Sequence, residues 1–296
     1  MQQAKQLRSL LVNPGILVAP GAYDAGTAML VQGAGFPAVY MTGAGVSATY
    51  GLPDYGLIGM AEMVAHARGM AGAVKIPLIA DADTGYGNEL NVTRTVWEYE
   101  KAGVAAMHIE DQVSPKRCGH LAGKEVVPRE DFLAKISAAV KARRDPDLFI
   151  IARTDARAVD GLEEAIARAN AALDQGADAV FVEATQSVDE AASVPKRVNG
   201  PCLLNMVIGG LTPVMDVKQA EDMGYRIAIL PGVVFATMVA RTMEALNVLK
   251  ATGKHPPLPN GMKPEDVFNQ FGAKMWDEFR QGFRDRYKAL TGRDES

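Results

Sequence analysis

The chain alternates between short apolar runs and longer segments of mixed polarity. Eight runs rich in Val, Ile, Leu and Ala recur along it: Ile16–Ala19, Ala38–Thr42, Leu78–Asp81, Ala106–Asp111, Phe149–Arg153, Ala179–Glu183, Leu203–Met206 and Arg226–Leu230. Short runs that are apolar throughout are typical of parallel strands buried on both faces. We therefore predict eight buried strands.

The segments between these runs place apolar residues at every third or fourth position, which is typical of amphipathic helices. The clearest examples are Ala61–Ala73, Val92–Lys101, Asp131–Ala142, Glu163–Asp174, Val217–Glu221 and Phe235–Lys250. Several such segments end in glycine, as at Gly103 and Gly224, where a left-handed residue stops a helix. Eight strand–helix alternations favour a closed (β/α)₈ TIM-type barrel over an open doubly wound sheet.

The end of the chain extends beyond the eighth alternation. We predict a catalytic barrel over residues 1–250 and a helical extension of the same domain over residues 251–296. After Pro257 the spacing predicts one more helix, whose apolar stripe is formed by Phe268, Phe271, Met275, Phe279 and Phe283. Such a stripe must be buried, either on the barrel's own flank or on a second subunit. The periodicity leaves both open.

Composition narrows the class of protein. The chain has 296 residues, 48% of them hydrophobic and 22% charged, with a formal net charge of −4. No Lys/Arg run suggests a nucleic-acid partner. No apolar stretch approaches the roughly 18 residues of a membrane span, and the first residues lack a signal-peptide pattern, so we expect no membrane partner. Cys118 and Cys202 are too few for a disulfide framework, which favours a reduced, cytoplasmic protein.

Polar residues collect where the apolar runs end. In α/β barrels the active site lies at the carboxyl ends of the strands. Buried polar groups are costly there unless partners or ligands satisfy them. So many at one rim predict a ligand site, formed by Tyr40, Thr42, Gly43, Ala44, Asp81, Asp83, Glu110, Arg153, Glu183 and Asn205.

Three carboxylates in this set suggest a metal. Asp81 and Asp83 alternate along one run, so both side chains would face the barrel mouth. Glu110, from the next run, adds a third. Oxygen ligands suit a hard ion such as Mg²⁺, with Mn²⁺ as the alternative. The competing interpretation is that Asp81 and Asp83 cap the following helix.

A loop after the fourth run carries a candidate reactive group. The segment reads Ser114-Pro115-Lys116-Arg117-Cys118-Gly119-His120. Lys116, Arg117 and His120 are expected to lower the pKa of the Cys118 thiol from about 8.5, making it an acid, base or nucleophile. Cys202, in contrast, follows Pro201 in an apolar run and is predicted to be a core residue.

One motif competes with this interpretation. The segment Gly43-Ala44-Gly45-Val46-Ser47-Ala48 matches the dinucleotide pattern G-x-G-x-x-A after a strand. The Gly and Pro residues that follow are poor material for the required helix, and no acidic residue ends a strand about 20 positions later. We instead expect a glycine loop whose N–H groups hold a substrate carboxylate.

Two segments together resemble the isocitrate lyase and phosphoenolpyruvate mutase superfamily. They are Asp81-Ala82-Asp83-Thr84-Gly85-Tyr86-Gly87-Asn88 and Lys116-Arg117-Cys118-Gly119-His120. The similarity runs from Pro20 to at least Tyr225. The cysteine segment resembles the carbon–carbon lyase branch, nearest the 2-methylisocitrate and 2,3-dimethylmalate lyases.

This resemblance implies roles for individual residues. Asp83 would be the direct Mg²⁺ ligand, with Asp54, Asp81 and Glu110 acting mainly through bound waters. Cys118 would be the proton donor on a mobile loop. Further catalytic residues would be Tyr40, Arg153, Lys116, Arg117 and His120, and further substrate-binding residues Thr42, Gly43, Ala44, Gly119, Glu183 and Asn205. The resemblance also implies a homotetramer in which the C-terminal helix is exchanged between subunits.

The function that follows is cleavage of a small 2-hydroxy di- or tricarboxylate into an α-keto acid such as pyruvate and a second carboxylate. Two positions bear on the substrate. Ile208 stands where the methylisocitrate lyases usually carry Glu, and Pro231 where the similar oxaloacetate acetylhydrolases favour Ser. The alternatives are an oxaloacetate hydrolase or decarboxylase of the same superfamily, and a non-catalytic metabolite-binding barrel.

Overall fold

Eight parallel strands close into a barrel in the order of the chain in this computed structural model, which describes residues 2–258 and 261–291. The strands are β1 (Leu17–Ala22), β2 (Val39–Met41), β3 (Leu78–Asp81), β4 (Ala106–Glu110), β5 (Phe149–Thr154), β6 (Ala179–Val182), β7 (Cys202–Asn205) and β8 (Ile227–Leu230). Each predicted run overlaps one of them, with ends that differ by up to three residues. The predicted (β/α)₈ barrel is therefore confirmed.

Helices follow the strands around the barrel. They are α1 (Gln2–Val12), α2 (Ala25–Gly33), α3 (Gly43–Thr49), α4 (Met60–Ala73), α5 (Glu89–Ala102), α6 (Arg129–Ala142), α7 (Leu162–Asp174), α8 (Val188–Arg197), α9 (Val217–Met223) and α10 (Gly232–Thr252), with a 3₁₀ turn at Ala156–Ala158. The six predicted helices are present. As expected, Gly103 and Gly224 end α5 and α9 at φ 90° and 104°.

The apolar residues form an inner and an outer layer. The inner layer fills the barrel with side chains that include Tyr40, Ile79, Ile151, Phe181 and Ile229. The outer layer packs the alternate strand positions against the helices. Because successive strand residues point to opposite sides, each strand supplies both layers.

The amino-terminal end of the barrel is covered by α1. Leu7 is fully buried in the inner layer. The Arg226 guanidinium donates to the carbonyl oxygens of Leu11 and Gly15 at 2.8 and 2.6 Å. The Arg8 guanidinium contacts the Asp178 carboxylate at 2.9 Å. With this end covered, the carboxyl ends of the strands remain for a ligand.

The chain divides into two compact units, one up to Val239 and one from Ala240 onward, so the boundary falls inside α10. The single helix predicted after Pro257 is wrong. Two helices are present, α11 (Pro264–Asn269) and α12 (Ala273–Thr291), and Gly272 between them has φ +82°. This left-handed residue interrupts the helical path. The predicted apolar stripe runs across both helices, and its five side chains are exposed.

Helix α10 contradicts the expectation that no stretch approaches membrane-spanning length. By length and composition alone it could cross a bilayer, and its apolar stretch is not buried. The expectation failed because it relied on uninterrupted apolar runs, and Arg241 and Glu244 interrupt this one. Their side chains form an ion pair at 2.7 Å.

Candidate active site

The predicted polar residues do meet at the carboxyl end of the barrel. Strand pairing sets Asp81 beside His108 and Glu110 beside Arg153. The residues of this polar mouth that are less than a tenth exposed are Tyr40, Thr42, Asp81, Asp83, Glu110, Arg153, Glu183 and Asn205. Burial of so many polar side chains in one place is typical of a functional site.

The carboxylates of Asp81 and Asp83 are neighbours, but not for the predicted reason. Strand β3 ends at Asp81, and Asp83 lies beyond it with φ +44°. Asp81 accepts hydrogen bonds from the main-chain N–H of Asp83 at 2.9 Å and of Gly43 at 3.2 Å. The capping alternative is wrong, because Asn88 caps α5.

Lys116 reaches from the cysteine-bearing loop into this acidic cluster, which consists of Asp54, Asp81, Asp83 and Glu110. Its ammonium lies 2.9 Å from Asp83 Oδ1 and also pairs with Asp54. Burial alone would lower the pKa of Lys116, but the carboxylates outweigh it and raise that pKa well above its usual value. Burial raises the pKa of Asp83 to about 6, with added repulsion from Asp81 and Asp54.

Glu110 has unusual surroundings for a carboxylate. It is fully buried, and neither of its oxygens accepts a well-aligned hydrogen bond from the described residues, although Oε2 lies 3.1 Å from Arg153 Nε. Burial raises the pKa of Glu110 well above its usual value. Such unsatisfied oxygens suit a hard cation. No three His, Cys, Asp or Glu side chains in residues 2–258 and 261–291 form a ready metal-binding group. An ion bound by fewer protein donors would need waters to complete its coordination, as Mg²⁺ usually has.

Arg153 is surrounded by three carboxylates. Its guanidinium lies 2.9 Å from Asp155, 3.1 Å from Glu110 and 3.2 Å from Glu183. Burial opposes the charge, but these carboxylates raise the pKa of Arg153 well above its usual value. The forked Arg153 guanidinium is therefore held rigidly at the polar mouth, and this geometry suits recognition of a substrate carboxylate.

The cysteine loop folds down over this mouth. Gly119 lies so close that an added Cβ would fall 2.5 Å from Arg153 Nη2 and 2.6 Å from Glu183 Cγ. His120 Nδ1 accepts the main-chain N–H of Leu211 at 3.0 Å, and its Nε2 lies 3.4 Å from Glu183 Oε1. The loop thus brings Cys118, a half-buried free thiol, to the site.

The expected lowering of the Cys118 pKa is wrong. Burial raises it, and the nearby Asp54 and Glu183 carboxylates add to that effect. The two neighbouring cations are engaged elsewhere, since Lys116 pairs with the acidic cluster and Arg117 stacks over the Tyr55 ring at 5.7 Å. Cys118 is therefore protonated at neutral pH. Cys202 is a buried core residue, as predicted, and burial raises its pKa to about 12.

The glycine segment after β2 does not form the expected loop, because Gly43 begins the short helix α3. A Cβ at Gly43 would fall 2.6 Å from Asp81 Oδ2, and one at Gly45 would meet Tyr23 at the same distance. Glycine is thus needed for close packing beside the acidic cluster. The Gly43 N–H already bonds Asp81.

His108 belongs to the site and was missed from the sequence. Its Nε2 lies 2.9 Å from the Tyr40 hydroxyl, whose next neighbour is Asp81 Oδ2 at 3.5 Å. Burial lowers the pKa of His108 to about 4, so the ring is neutral at pH 7. Its position two residues before Glu110 on one strand was the available signal.

Lys124, Thr154 and Asp155 were also missed. Asp155 lies two residues after Arg153, which could have indicated a shared face. Its carboxylate pairs with Lys124 at 3.0 Å, and Thr154 Oγ1 donates to Asp111 at 2.6 Å. Nothing in the sequence pattern separates Lys124 from an ordinary solvated loop lysine.

With this geometry in hand, comparison with known proteins identifies the family. Residues 7–249 match the family model described as phosphoenolpyruvate phosphomutase. The chain belongs to the phosphoenolpyruvate mutase and isocitrate lyase superfamily. It is 49% identical to the 2,3-dimethylmalate lyase of Eubacterium barkeri over 93% of this chain and 94% of that one. It is 43% identical to the 2-methylisocitrate lyase of Aeropyrum pernix over 83% of this chain and 80% of that one.

Solved structures of this superfamily agree in fold. An oxaloacetate acetylhydrolase in complex with 3,3-difluorooxalacetate superposes with a TM-score of 0.92 at 40% identity, covering 95% of this chain and 97% of that one. A phosphonopyruvate hydrolase in complex with oxalate and Mg²⁺ has a TM-score of 0.84 at 30% identity, covering 97% and 99%. The relatives confirm the predicted superfamily and the predicted lyase class.

Proposed function

We propose that this enzyme cleaves the carbon–carbon bond of a small 2-hydroxydicarboxylate resembling 2,3-dimethylmalate, releasing an α-keto acid such as pyruvate and a second carboxylate. One observation carries the proposal. The cysteine loop packs against Arg153 and Glu183 through Gly119, and the protonated Cys118 thiol belongs to the preceding residue. A proton donor above a carboxylate-binding fork suits protonation of a leaving carbanion.

Substrate binding follows from the charges at the mouth. The Arg153 fork, flanked by Glu183 and Asn205, would bind the carboxylate of the leaving fragment. The other end, with the hydroxyl and its adjacent carboxylate, would lie at Thr42, Gly43 and Ala44, next to the acidic cluster. Excluding water strengthens these contacts, and the closed loop serves that purpose.

The acidic cluster would hold Mg²⁺, or Mn²⁺ in its place. Asp83 would be the direct ligand, with Asp54, Asp81 and Glu110 acting through bound waters. The Glu110 oxygens, which accept no hydrogen bond from the described residues, support this fit, and Asp83 Oδ1 already faces a cation, the Lys116 ammonium. A bound divalent ion acidifies a coordinated hydroxyl and polarises its carboxylate. The Lys116 ammonium now neutralises the same carboxylates, so it and the ion would compete for them.

The protein's own groups would then move two protons. The substrate hydroxyl gives its proton to a carboxylate of the acidic cluster, and its oxygen becomes the carbonyl of the α-keto acid. The electrons of the broken carbon–carbon bond pass to the leaving fragment, an enolate-like carboxylate. Arg153 stabilises its charge and the Cys118 thiol protonates its carbon. Burial keeps the Tyr40 hydroxyl protonated, so we assign it the role of hydrogen-bond donor to the reacting oxygen.

Two residues favour one substrate over others. Ile208 lies on the loop after β7 with 91% of its surface exposed, and it lacks the hydrogen-bond acceptor that Glu would supply at the same position in the methylisocitrate lyases. Its presence favours a dicarboxylate over methylisocitrate. Pro231, which follows β8, favours a lyase over an oxaloacetate hydrolase. The high structural similarity to an oxaloacetate acetylhydrolase keeps hydrolysis as the second candidate.

A coupled assay tests the proposal. The purified protein should release pyruvate from 2,3-dimethylmalate, lose this activity in EDTA and regain it with Mg²⁺ or Mn²⁺. Acetate from oxaloacetate would instead identify the hydrolase, and no product from either would favour a metabolite-binding barrel. Cys118→Ser should lower kcat at least about 100-fold, within the usual range for losing a general acid. Cys202→Ser, a buried control, should retain activity.

We also propose that the enzyme is a homotetramer with its C-terminal helix exchanged between subunits. Phe279 and Phe283 on α12, and Met243 and Leu246 on α10, are 53–71% exposed. Large apolar side chains exposed in such number are typical of an interface. Sedimentation analysis should give four times the 31.6 kDa chain mass, and a monomer would contradict the proposal. The two free thiols suit a cytoplasmic location.

A further inference from the structure

Lys124 lies where the cysteine loop returns to the barrel, and its ammonium is buried. Only 2% of its side chain is exposed. The ammonium donates to the carbonyl oxygen of Gly119 and lies 3.0 Å from Asp155 Oδ1. It therefore joins the residue next to Cys118 to a carboxylate of the barrel.

That carboxylate belongs to the site's framework. Asp155 is fully buried, and its Oδ2 accepts from Arg153 Nε at 2.9 Å. Its main-chain N–H donates to Asp111 Oδ1 at 2.8 Å, which fixes it at the end of β5. A buried carboxylate thus binds Arg153 Nε through Oδ2 and Lys124 through Oδ1, which Arg153 Nη2 also reaches at 3.4 Å.

Other contacts also hold the loop: Lys116 pairs with Asp83, His120 accepts from the Leu211 N–H, and the Cys118 N–H donates to the Asp54 carbonyl at 3.1 Å. The outer side of the loop borders a cavity of about 400 Å³, lined in part by Tyr55, Leu57 and Pro115. Residues 113–115 and 121–123 are exposed, so these parts of the loop are little packed. The Gln112 side chain fixes the main chain of Arg117 at 2.8 and 3.0 Å, but both residues belong to the loop region itself.

We propose that Lys124 is a positioning residue that holds the cysteine loop closed over the site. Without its ammonium, the Gly119 carbonyl and one Asp155 oxygen lose a charged donor while still buried, which is costly enough to favour an open loop. For catalysis this inference rests on the proposed function. For the loop itself it does not, because closure can be measured without substrate.

Alkylation of Cys118 by iodoacetamide, in the absence of substrate, measures closure. Lys124→Met should raise the alkylation rate at Cys118 about tenfold, while buried Cys202 remains unmodified. Lys124→Arg keeps the charge and should recover a rate within about threefold of the unmodified protein. Glu125→Gln changes an exposed charge at the next position and serves as the matched control.

The pH dependence of the alkylation rate distinguishes easier access to Cys118 from a change in the pKa of its thiol. An opened loop raises the rate by the same factor from pH 7 to 9.5. A shift of the profile's midpoint alone, or a rate equal to that of the unmodified protein, overturns the proposal. Circular dichroism checks folding first, and if Lys124→Met unfolds, the same comparison is made with Lys124→Gln.

Kinetics give the second measurement. In Lys124→Met, kcat on the cleaved substrate should fall about tenfold with KM changed less than threefold, because the loop carries the proton donor. Unchanged kcat would overturn the catalytic part of the proposal. If no substrate is cleaved even by the unmodified protein, the proposed function fails, while the alkylation rates still decide whether Lys124 holds the loop.

Discussion

Substituting Gly119 by Ala tests the packing on which the proposed reaction depends. Gly119 is buried between the loop and the barrel mouth, and its backbone is not in the left-handed region, so alanine is allowed in the main chain. The added methyl would lie 2.5 Å from Arg153 Nη2 and 2.7 Å from Glu183 Oε2. The conflict exists only when the loop is closed.

The size of the effect follows from how firmly those neighbours are held. Ordinary contacts between heavy atoms are about 3.5–4.0 Å, so either the loop or its neighbours must retreat by about 1 Å. Arg153 is held by Asp155, and Glu183 accepts from the Ala184 N–H at 2.8 Å and from Asn205 at 3.1 Å. Overpacking of this kind costs about 1–3 kcal/mol, which corresponds to about a 5- to 150-fold loss of kcat/KM.

Steady-state kinetics with the cleaved substrate, together with thermal unfolding, measure this effect. The melting temperature of Gly119→Ala should stay within about 2 °C, because the loop can open without disturbing the core. Gly69→Ala is the matched control: Gly69 lies in α4 with nothing within 4 Å of its added Cβ, so activity should be unchanged and stability slightly higher. A Gly119→Ala enzyme within twofold of normal kcat/KM would refute the closed-loop geometry.

Three further predictions concern other parts of the site and the fold. Gly210→Ala would set its methyl 2.6 Å from His120 Nδ1 and should lower kcat/KM several-fold, less than Gly119→Ala; equal activity would show that His120 does not dock there. Burial alone would raise the pKa of Asp155, but Arg153 and Lys124 hold it at about 2, below its unfolded value of about 3.9. The stability that comes from this lowered pKa is present above pH 4 and is lost on acidification. Between pH 6 and pH 3 the unmodified protein should therefore lose about 1 kcal/mol more unfolding free energy than Asp155→Asn, as measured by urea titration. Equal losses in the two proteins would contradict this prediction. Asp178→Ala removes a carboxylate that contacts Arg143 at 2.7 Å and Arg8 at 2.9 Å at the far end of the barrel; it should cost about 2 kcal/mol of unfolding free energy with kcat/KM unchanged, and a drop in kcat/KM would show that the two ends are coupled.

The barrel could be predicted from the sequence because burial on both faces makes each strand apolar throughout. This pattern marked all eight strands within a few residues. The prediction of helices failed where a helix contains proline or several glycines. Helix α8 was missed because Pro195 lies inside it, and α3 because its glycines resemble a turn. Gly272, which divides the predicted last helix, looked like any glycine in a helical stretch.

The candidate site could be predicted where it depends on strands. Glu110 and Arg153 end neighbouring strands, and parallel pairing sets them side by side whatever the helices do. The pKa of Cys118 could not be predicted, because it depends on where two neighbouring side chains go. Lys116 and Arg117 are two residues and one residue from the thiol along the chain, yet they contact Asp83 and Tyr55 instead.

This difference has a physical cause that also explains how the site is built. A strand's register is fixed by many apolar contacts, so the polar groups at its end are held at a set distance with little freedom. The cysteine loop is fixed by a few charged and main-chain contacts, such as Lys116 with Asp83 and Lys124 with Asp155. A few such contacts can be broken and remade at modest cost, which a loop that admits substrate requires. The rigid barrel therefore supplies binding and charge, and the loop supplies the proton.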